Sequence, residues 1–425
     1  MENSIPNRTR PRRDCGQVMV LFVLLMVVLI LFIGLGVDLG FSYITKAELS
    51  KSVDAAALMG ASNLSHGTNT AQAVALSTFA LNYGVSSRDV ADPNVIVQTF
   101  IDANNNEVVD VTATVKINTF FIRVLPNWAT LEVASSAEAI RANVYMTLVL
   151  DTSGSMDPSR GPPPGGDGSG SGGGLYLPGA VTAFINDFDE KHDKAAMVSF
   201  ASIQSNVFYG GTQFQPQPTQ PFQSQIIAAV NAFIYTNSTF SQGGLTNALV
   251  MENNATIPTG QSVVKVVVFC TDGLANVVQD TLDCQTPTLL NFGGQDLPFE
   301  GYDLFDPITG TKLDDSSCDA SEFPSAVAGS MEPLARKFIT PDAIFRAIQV
   351  SAQMRAAGII VYSIGVGSGV DLTFLQQVAN DPALAGTSGY VATAYDGQAV
   401  VANDVSQLGA VFQAIASRIL FRLTK

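Results

Sequence analysis

The chain has 425 residues, enough for two or three domains, and its 47% hydrophobic against 14% charged content is low in charge for a purely soluble protein. A net charge of −15 and a pI of about 4.4 argue against nucleic acid as a partner, because phosphate binding needs clustered Lys and Arg that the folded part lacks.

Met1 to Gly16 carries Arg8, Arg10, Arg12 and Arg13, and Val18 to Val37 follows without a charge. Twenty such residues rise about 30 Å as a helix, enough to cross a bilayer core. The arginines are expected to stay cytoplasmic, which places the residues after Asp38 on the outer side. A cleaved signal peptide fits less well, since the apolar run is long and no clear A-x-A site follows. Cys15 precedes the run, whereas a lipoprotein cysteine follows one, so it is read as an unmodified cytoplasmic thiol. Lys46 to Leu64 places Ala47, Ser50, Asp54, Ala57, Leu58 and Ala61 at helical spacing, which predicts that the membrane helix continues outward on a small-residue face.

From Val95 the period becomes two. Val109, Val111, Ala113, Val115 and Ile117 alternate with polar residues, predicting a half-buried strand. Asn104 to Asn106 is the turn that pairs it with Val95 to Ile101, and Thr130 to Ala134 supplies a third strand. These make a small β-meander, with Trp128 read as a core or interface residue. His66 falls in a polar loop and His192 in a charged turn, so neither stands near a nucleophile as a base for hydrolysis.

Val144 to Met156 reads VYMTLVLDTSGSM. Its apolar run without polar alternation predicts a strand buried on both faces of a parallel sheet. Asp151, Ser153 and Ser155 then fall at every second position, with Gly154 permitting a turn, so that one carboxylate and two hydroxyls can converge. A hard divalent ion takes about six oxygen ligands. Val263 to Cys270 is a second apolar strand running into Thr271, Asp272 and Gly273. Gly243 to Asn247 (GGLTN) adds a hydroxyl at Thr246. Helices are expected at Leu175 to Phe188, Phe222 to Phe233, from Asp342, at Asp371 to Ala379 and at Val405 to Leu420. Strands are expected at Ala195 to Phe200, Asn206 to Tyr209 and Ile359 to Val366. The alternation predicts an α/β fold with a doubly wound, mostly parallel, Rossmann-like sheet whose ligands sit at the carboxyl ends of the strands.

The set D-x-S-x-S, then T, then D resembles the metal-ion-dependent adhesion site of von Willebrand factor A (VWA) domains, over roughly Asn143 to Lys425. The resemblance implies that Ser153, Ser155 and Thr246 touch the metal, or reach it on ligand binding, while Asp151 and Asp272 act largely through water. Such an oxygen set favours Mg²⁺ or Mn²⁺ over Zn²⁺. Gly16-Gln17, the apolar span, Val37-Asp38-Leu39-Gly40 and Val53-Asp54-Ala55-Ala56-Ala57-Leu58 together resemble the N-terminal region of TadG-like proteins of Flp (tight-adherence) pilus assembly systems. Unlike type IV pilins, the chain lacks a Glu five residues into the apolar run. The second resemblance implies a bacterial inner-membrane protein, single-pass, with the bulk of the chain extracytoplasmic.

The expected layout is a cytoplasmic N-terminus at 1–17, a transmembrane helix at 18–37, a stalk with helix and β-meander at 38–142, and the VWA domain at 143–425. Two insertions interrupt that domain, a Pro/Gly/Ser-rich one at 160–174, read as mobile, and one at 277–339. Outside the cytoplasm Cys284 and Cys318 can pair, leaving Cys270 as a buried strand thiol. The functional expectation is a non-enzymatic protein that binds a protein partner, through an acidic residue of that partner, in Flp pilus assembly or surface adhesion. A structural envelope or pilus-base component without metal-dependent binding is the alternative. A metal-dependent hydrolase is a further rival that needs an activated nucleophile beside the ion.

Overall fold

The computed structural model describes residues 15–86, 88–125, 127–163, 165–201, 204–206, 221–236, 238–277, 290–291, 296–297 and 340–422. Cys284, Cys318 and most of the 277–339 insertion lie outside the described residues, and the expected disulfide with them. The chain divides into two compact units, the first comprising residues 1–63, 68–100 and 108–139 and the second the remainder.

In the first unit, α1 (Cys15–Ser62) runs 48 residues without a break. It is long and apolar enough to cross a membrane, and Val18 to Ile33 is exposed on every side. Beyond the span its Leu49, Val53, Ala57 and Ala61 are buried, as are Ala71, Ala75 and Phe79 of α2 (Thr68–Asn82). Small side chains let these backbones approach closely. A methyl group on Gly60 would stand 3.0 Å from Val109 and 3.1 Å from Ala75. A sheet follows in the order β1 (Asn94–Ile101), β2 (Glu107–Asn118), β3 (Thr130–Arg141). In β2 the alternating residues Val109 to Ile117 are buried. The third strand is twelve residues long, well past the expected Ala134.

The second unit is α/β. Its strands are β4 (Asn143–Asp151), β5 (Lys194–Phe200), β6 (Gln204–Asn206), β7 (Val263–Thr271), a short ladder of β8 (Leu290–Asn291) and β9 (Asp296–Leu297), then β10 (Ile359–Val366) and β11 (Gln398–Ala402). The main sheet has the order β11-β10-β7-β4-β5-β6. Every pairing in it is parallel except that of β6, which runs antiparallel at one edge. Strand order therefore reverses beside β4, which is where a doubly wound sheet opens a crevice at its carboxyl end. Helices α3 (Leu177–Ile185), α4 (Phe222–Asn231) and α8 (Leu408–Arg422) pack with Met146, Leu148 and Leu150 on one face. Helices α5 (Ser241–Asn254), α6 (Thr340–Ala356) and α7 (Leu372–Ala379) pack with Val149, Val267 and Phe269 on the other. Every residue of β4 is buried, and truncating Leu148 to Ala should cost about 2–5 kcal/mol.

The amino end of this sheet is held by an ion network. Arg141, fully buried, donates through Nη2 to Asp193 Oδ2 at 2.5 Å, and Val144 N donates to Asp193 Oδ1 at 2.8 Å. Glu107 Oε2 lies 3.7 Å from Arg141 Nη1 and 3.6 Å from His192 Nδ1, which is 2.7 Å from Asp189 Oδ2. Among the described residues Glu107, Asp189 and His192 could share a metal, their ligand atoms lying within 4.8 Å of one another. The guanidinium already supplies a cation here, so the cluster reads as a buried charge network.

The hydrogen bond to Asp189 raises the pKa of His192 against the opposing effect of burial. Burial raises that of Glu107. Burial also acts to raise Asp189, but the bond from His192 outweighs it and its pKa is lowered. A raised histidine contributes stability that is fully present below its unfolded pKa and is lost as pH rises through the folded value. Thermal melts should therefore show the stability difference between wild type and His192→Gln largest below pH 6.5, the ordinary histidine value, and shrinking above it. A difference independent of pH would contradict the pairing.

Candidate metal centre

At the carboxyl end of β4 the chain turns sharply because Asp151 takes its own downstream backbone. Asp151 Oδ1 accepts from Ser153 N at 2.7 Å, an Asx-type turn, and residues Gly154–Met156 form one turn of 3-10 helix. The neighbouring strand end supplies the second half. Thr271 Oγ1 donates to Asp151 Oδ2 at 2.5 Å, and Ser155 Oγ donates to Asp272 Oδ1 at 2.6 Å. Ser153 and Ser155 stand 3.1 Å apart at their hydroxyls. Asp151, Ser153, Ser155 and Asp272 thus form one connected oxygen cluster.

Thr246 is not part of it. The GGLTN segment lies inside α5, where Thr246 is exposed and its hydroxyl donates to Gln242 O of the same helix at 2.8 Å. Thr239, buried just ahead of that helix, is the threonine near the centre. A methyl group placed on Gly273 would stand 3.8 Å from Thr239 Oγ1 and 4.0 Å from Ser155 Oγ. Asn276 fixes its position, with Oδ1 accepting from Thr239 N at 2.7 Å and its own N–H donating to Thr239 O at 3.1 Å. The available sequence signal was position: Thr239 lies in the loop before the helix, and Thr246 lies within it.

A second unanticipated hydroxyl comes from the Gly/Ser-rich insertion, which packs tightly in its described part instead of moving freely. Ser171 Oγ donates to Asp272 Oδ2 at 2.5 Å, so both oxygens of that carboxylate accept from serines. The segment is fastened by Gly172 N to Ser155 O at 3.2 Å and Gly170 N to Arg160 O at 2.8 Å. A Cβ at Gly170 would meet Ser155 O at 2.3 Å, and one at Gly173 would meet Val366 Cγ1 at 2.5 Å. Here glycine is demanded by close approach. Ser155, Asp272 and Ser171 line a cavity of about 650 Å³ together with Gly367, Ser368 and Asp404. Among the described residues no Lys, Arg or His lines it.

Burial, and then the charge of Asp272, pushes the pKa of Asp151 up to about 7 against the bonds from Thr271 and Ser153. Burial likewise raises Asp272 against its serine donors. Burial, reinforced by both carboxylates, pushes the Cys270 thiol well up. Two buried carboxylates so close are costly without a counter-charge. An all-oxygen donor set of two carboxylates and neutral hydroxyls fits a hard divalent cation. Asp151, Asp272, Ser153, Ser155 and Thr239 would hold it, and it would supply positive charge at the cavity floor.

In calorimetric titrations of Mg²⁺ or Mn²⁺, Asp151→Ala and Asp272→Ala should abolish uptake. Thr239→Val should weaken it at least tenfold, and Thr246→Val should leave it unchanged. The opposite ranking of the two threonines would refute the placement. Separately, Gly173→Ala should lower the melting point, since overpacking costs about 1–3 kcal/mol.

Residues 16–63 match the Tad family model, described as "Putative Flp pilus-assembly TadE/G-like". No curated protein sequence matches the chain. Among solved structures, the chain is similar to the PilB minor pilin from Streptococcus sanguinis, with 15% identity, 80% of this chain and 81% of that one covered, and a TM-score of 0.42. A von Willebrand factor type A protein from Catenulispora acidiphila gives 15% identity over 79% of this chain and 52% of that one, with a TM-score of 0.37. Proximal thread matrix protein 1 from the mussel byssus, with a zinc-occupied MIDAS motif, gives 14% over 66% and 46%, with a TM-score of 0.36. The chain thus spans about half the length of the last two, and likenesses this distant decide nothing about function. Residues 16–63 are thus TadE/G-like, and an α/β unit built on a mostly parallel six-stranded sheet follows.

Proposed function

We propose that this is a non-enzymatic, membrane-anchored protein that binds a protein partner through a hard divalent cation, Mg²⁺ or Mn²⁺, in Flp pilus assembly or surface adhesion. In this reading α1 spans the bacterial inner membrane once, the arginine-rich N-terminus is cytoplasmic, and the α/β unit is extracytoplasmic. The observation that carries it is the oxygen cluster at the floor of an open cavity, with both Asp272 oxygens held by hydroxyls.

The cavity wall explains what the cation does for binding. Among the described residues Asp272 and Asp404 line it without a cationic side chain, so an acidic side chain of a partner is repelled until a divalent ion reverses the sign of the floor. Neutral serine and threonine ligands leave that ion electrophilic and able to take a partner carboxylate. Against hydrolysis stand two features. Cys270 is a buried strand thiol whose pKa is raised, the opposite of an activated nucleophile. His192 lies just before the amino end of β5, whereas the centre sits at the carboxyl ends of β4 and β7, about 20 Å away for a strand of this length.

The test uses the full chain solubilised from membranes and envelope extracts as bait. Partner capture should require Mg²⁺ or Mn²⁺, fail with chelator and fail with Asp151→Ala while the circular dichroism spectrum is kept. Capture indifferent to chelation would favour the structural-component reading.

A further inference from the structure

The loop that joins β2 to β3 exposes large apolar side chains within ten residues: Phe120 56%, Phe121 42%, Val124 79%, Leu125 51% and Trp128 49%. Soluble surfaces scatter such residues singly, and a patch of this density marks an interaction site. The loop is fixed to α1 within the same unit. The Asp38 carboxylate accepts backbone N–H bonds from Phe120 at 2.8 Å and from Phe121 and Ile122 at 2.9 Å each. A Cβ on Gly34 would meet Phe121 Cβ at 2.4 Å, so the loop rests on the helix backbone there. The Arg88 guanidinium lies 3.3 Å from the Phe41 ring centroid and 4.3 Å from that of Phe120.

Height along α1 identifies what covers the patch. From Val18 to Asp38 the helix rises about 30 Å, one hydrocarbon thickness. Gly34 and Asp38 therefore mark the level at which the span leaves the bilayer, and the loop is seated at that level. Its backbone suits a medium poor in water, where unpaired N–H groups are costly. Besides the three donors to Asp38, Thr119 N donates to Ala129 O at 3.1 Å, Leu125 N to Ile122 O at 2.9 Å and Trp128 N to Leu125 O at 3.2 Å. The Thr119 hydroxyl donates to Trp128 O at 2.6 Å.

We propose that the 119–128 loop is a membrane foot, in which Phe120, Phe121, Val124, Leu125 and Trp128 enter the lipid headgroup and acyl boundary beside the span. Arg88 is placed to meet lipid phosphates while its planar group stays on the rings. Aromatic side chains favour this depth because one face of the region is apolar and the other wet. The foot turns a single span into a two-point attachment of the first unit. The proposal rests on the reading of α1 as a membrane anchor.

Trp128 is the only tryptophan in the chain and reports on the foot directly. The full chain is placed in lipid nanodiscs containing lipids spin-labelled either near the headgroup or near the end of the acyl chain. Trp128 emission should be quenched most by the headgroup-proximal label. Val124→Glu, at the most exposed position of the loop, should lose most of that quenching. Unquenched emission in a chain that stays in the pellet after alkaline extraction would overturn the foot and leave the anchor standing. Release of the chain by alkaline extraction would overturn both. Unquenched emission that changes with protein concentration would assign the patch to a second copy. Equal quenching in Val124→Glu would show Trp128 near lipid only because the span holds it there, which also overturns the proposal.

Discussion

The second unit is organised around the repulsion between two buried carboxylates. Asp151 ends β4 and Asp272 immediately follows the end of the adjacent parallel strand β7, and the register that pairs Leu150 with Cys270 brings them together. Both have raised pKa values, burial being the first cause in each. Among the described residues that line the cavity there is no lysine or arginine to neutralise them. Instead the chain surrounds them with hydroxyl donors from Thr271, Ser155 and Ser171 and the backbone N–H of Ser153. Such bonds offset part of the desolvation and leave the net charge in place. The centre is thus a local sacrifice of stability at the rim, carried by the apolar layers on both sheet faces.

The opposite end of the same sheet solves a similar problem differently. There Arg141 is fully buried and faces Asp193 and Glu107, so the chain itself supplies a cation to the buried carboxylates. Among the described residues, one end carries its own counter-charge and the other does not. This asymmetry distinguishes a structural ion network from a site that calls for an external cation, and the ring of backbone bonds around Asp193 fits the structural role.

Much of this was legible in the sequence. The uncharged span, the alternation in β2 and the apolar strands ending at Asp151 and Asp272 follow from periodicity and the charge at a strand end. What was not legible concerns glycine, whose two uses look alike in a sequence. In GGLTN the glycines serve close approach within α5, where a Cβ at Gly244 would sit 2.8 Å from Phe200 and 3.0 Å from Val149. Close helix-to-sheet packing requires glycine there as strictly as a turn would, but the same helix leaves Thr246 exposed, and nothing in the sequence pattern beyond its place ahead of the helix singled out Thr239. Two elements gave too weak a pattern to read. Helix α2 opens on the polar run TNTAQ, and β11 is a mostly half-buried edge strand.

The insertion around Ser171 has a thermodynamic consequence that its packing alone conceals. Glycine loses more backbone freedom on folding than other residues, roughly 0.5–1 kcal/mol beyond alanine in regular structure, and this segment concentrates glycines at 165, 166, 168, 170 and 172–174. Few apolar contacts repay that entropy in its exposed stretch from Gly165 to Ser169. One wall of the cavity therefore belongs to the low-stability end of the unit's opening spectrum, while the floor, built on β4 and β7, belongs to the high end. Amides of the wall should exchange with solvent long before those of the strands beneath. An occupant that touches both is then recorded as slowed exchange in the wall, with the entropy of ordering it included in the observed affinity.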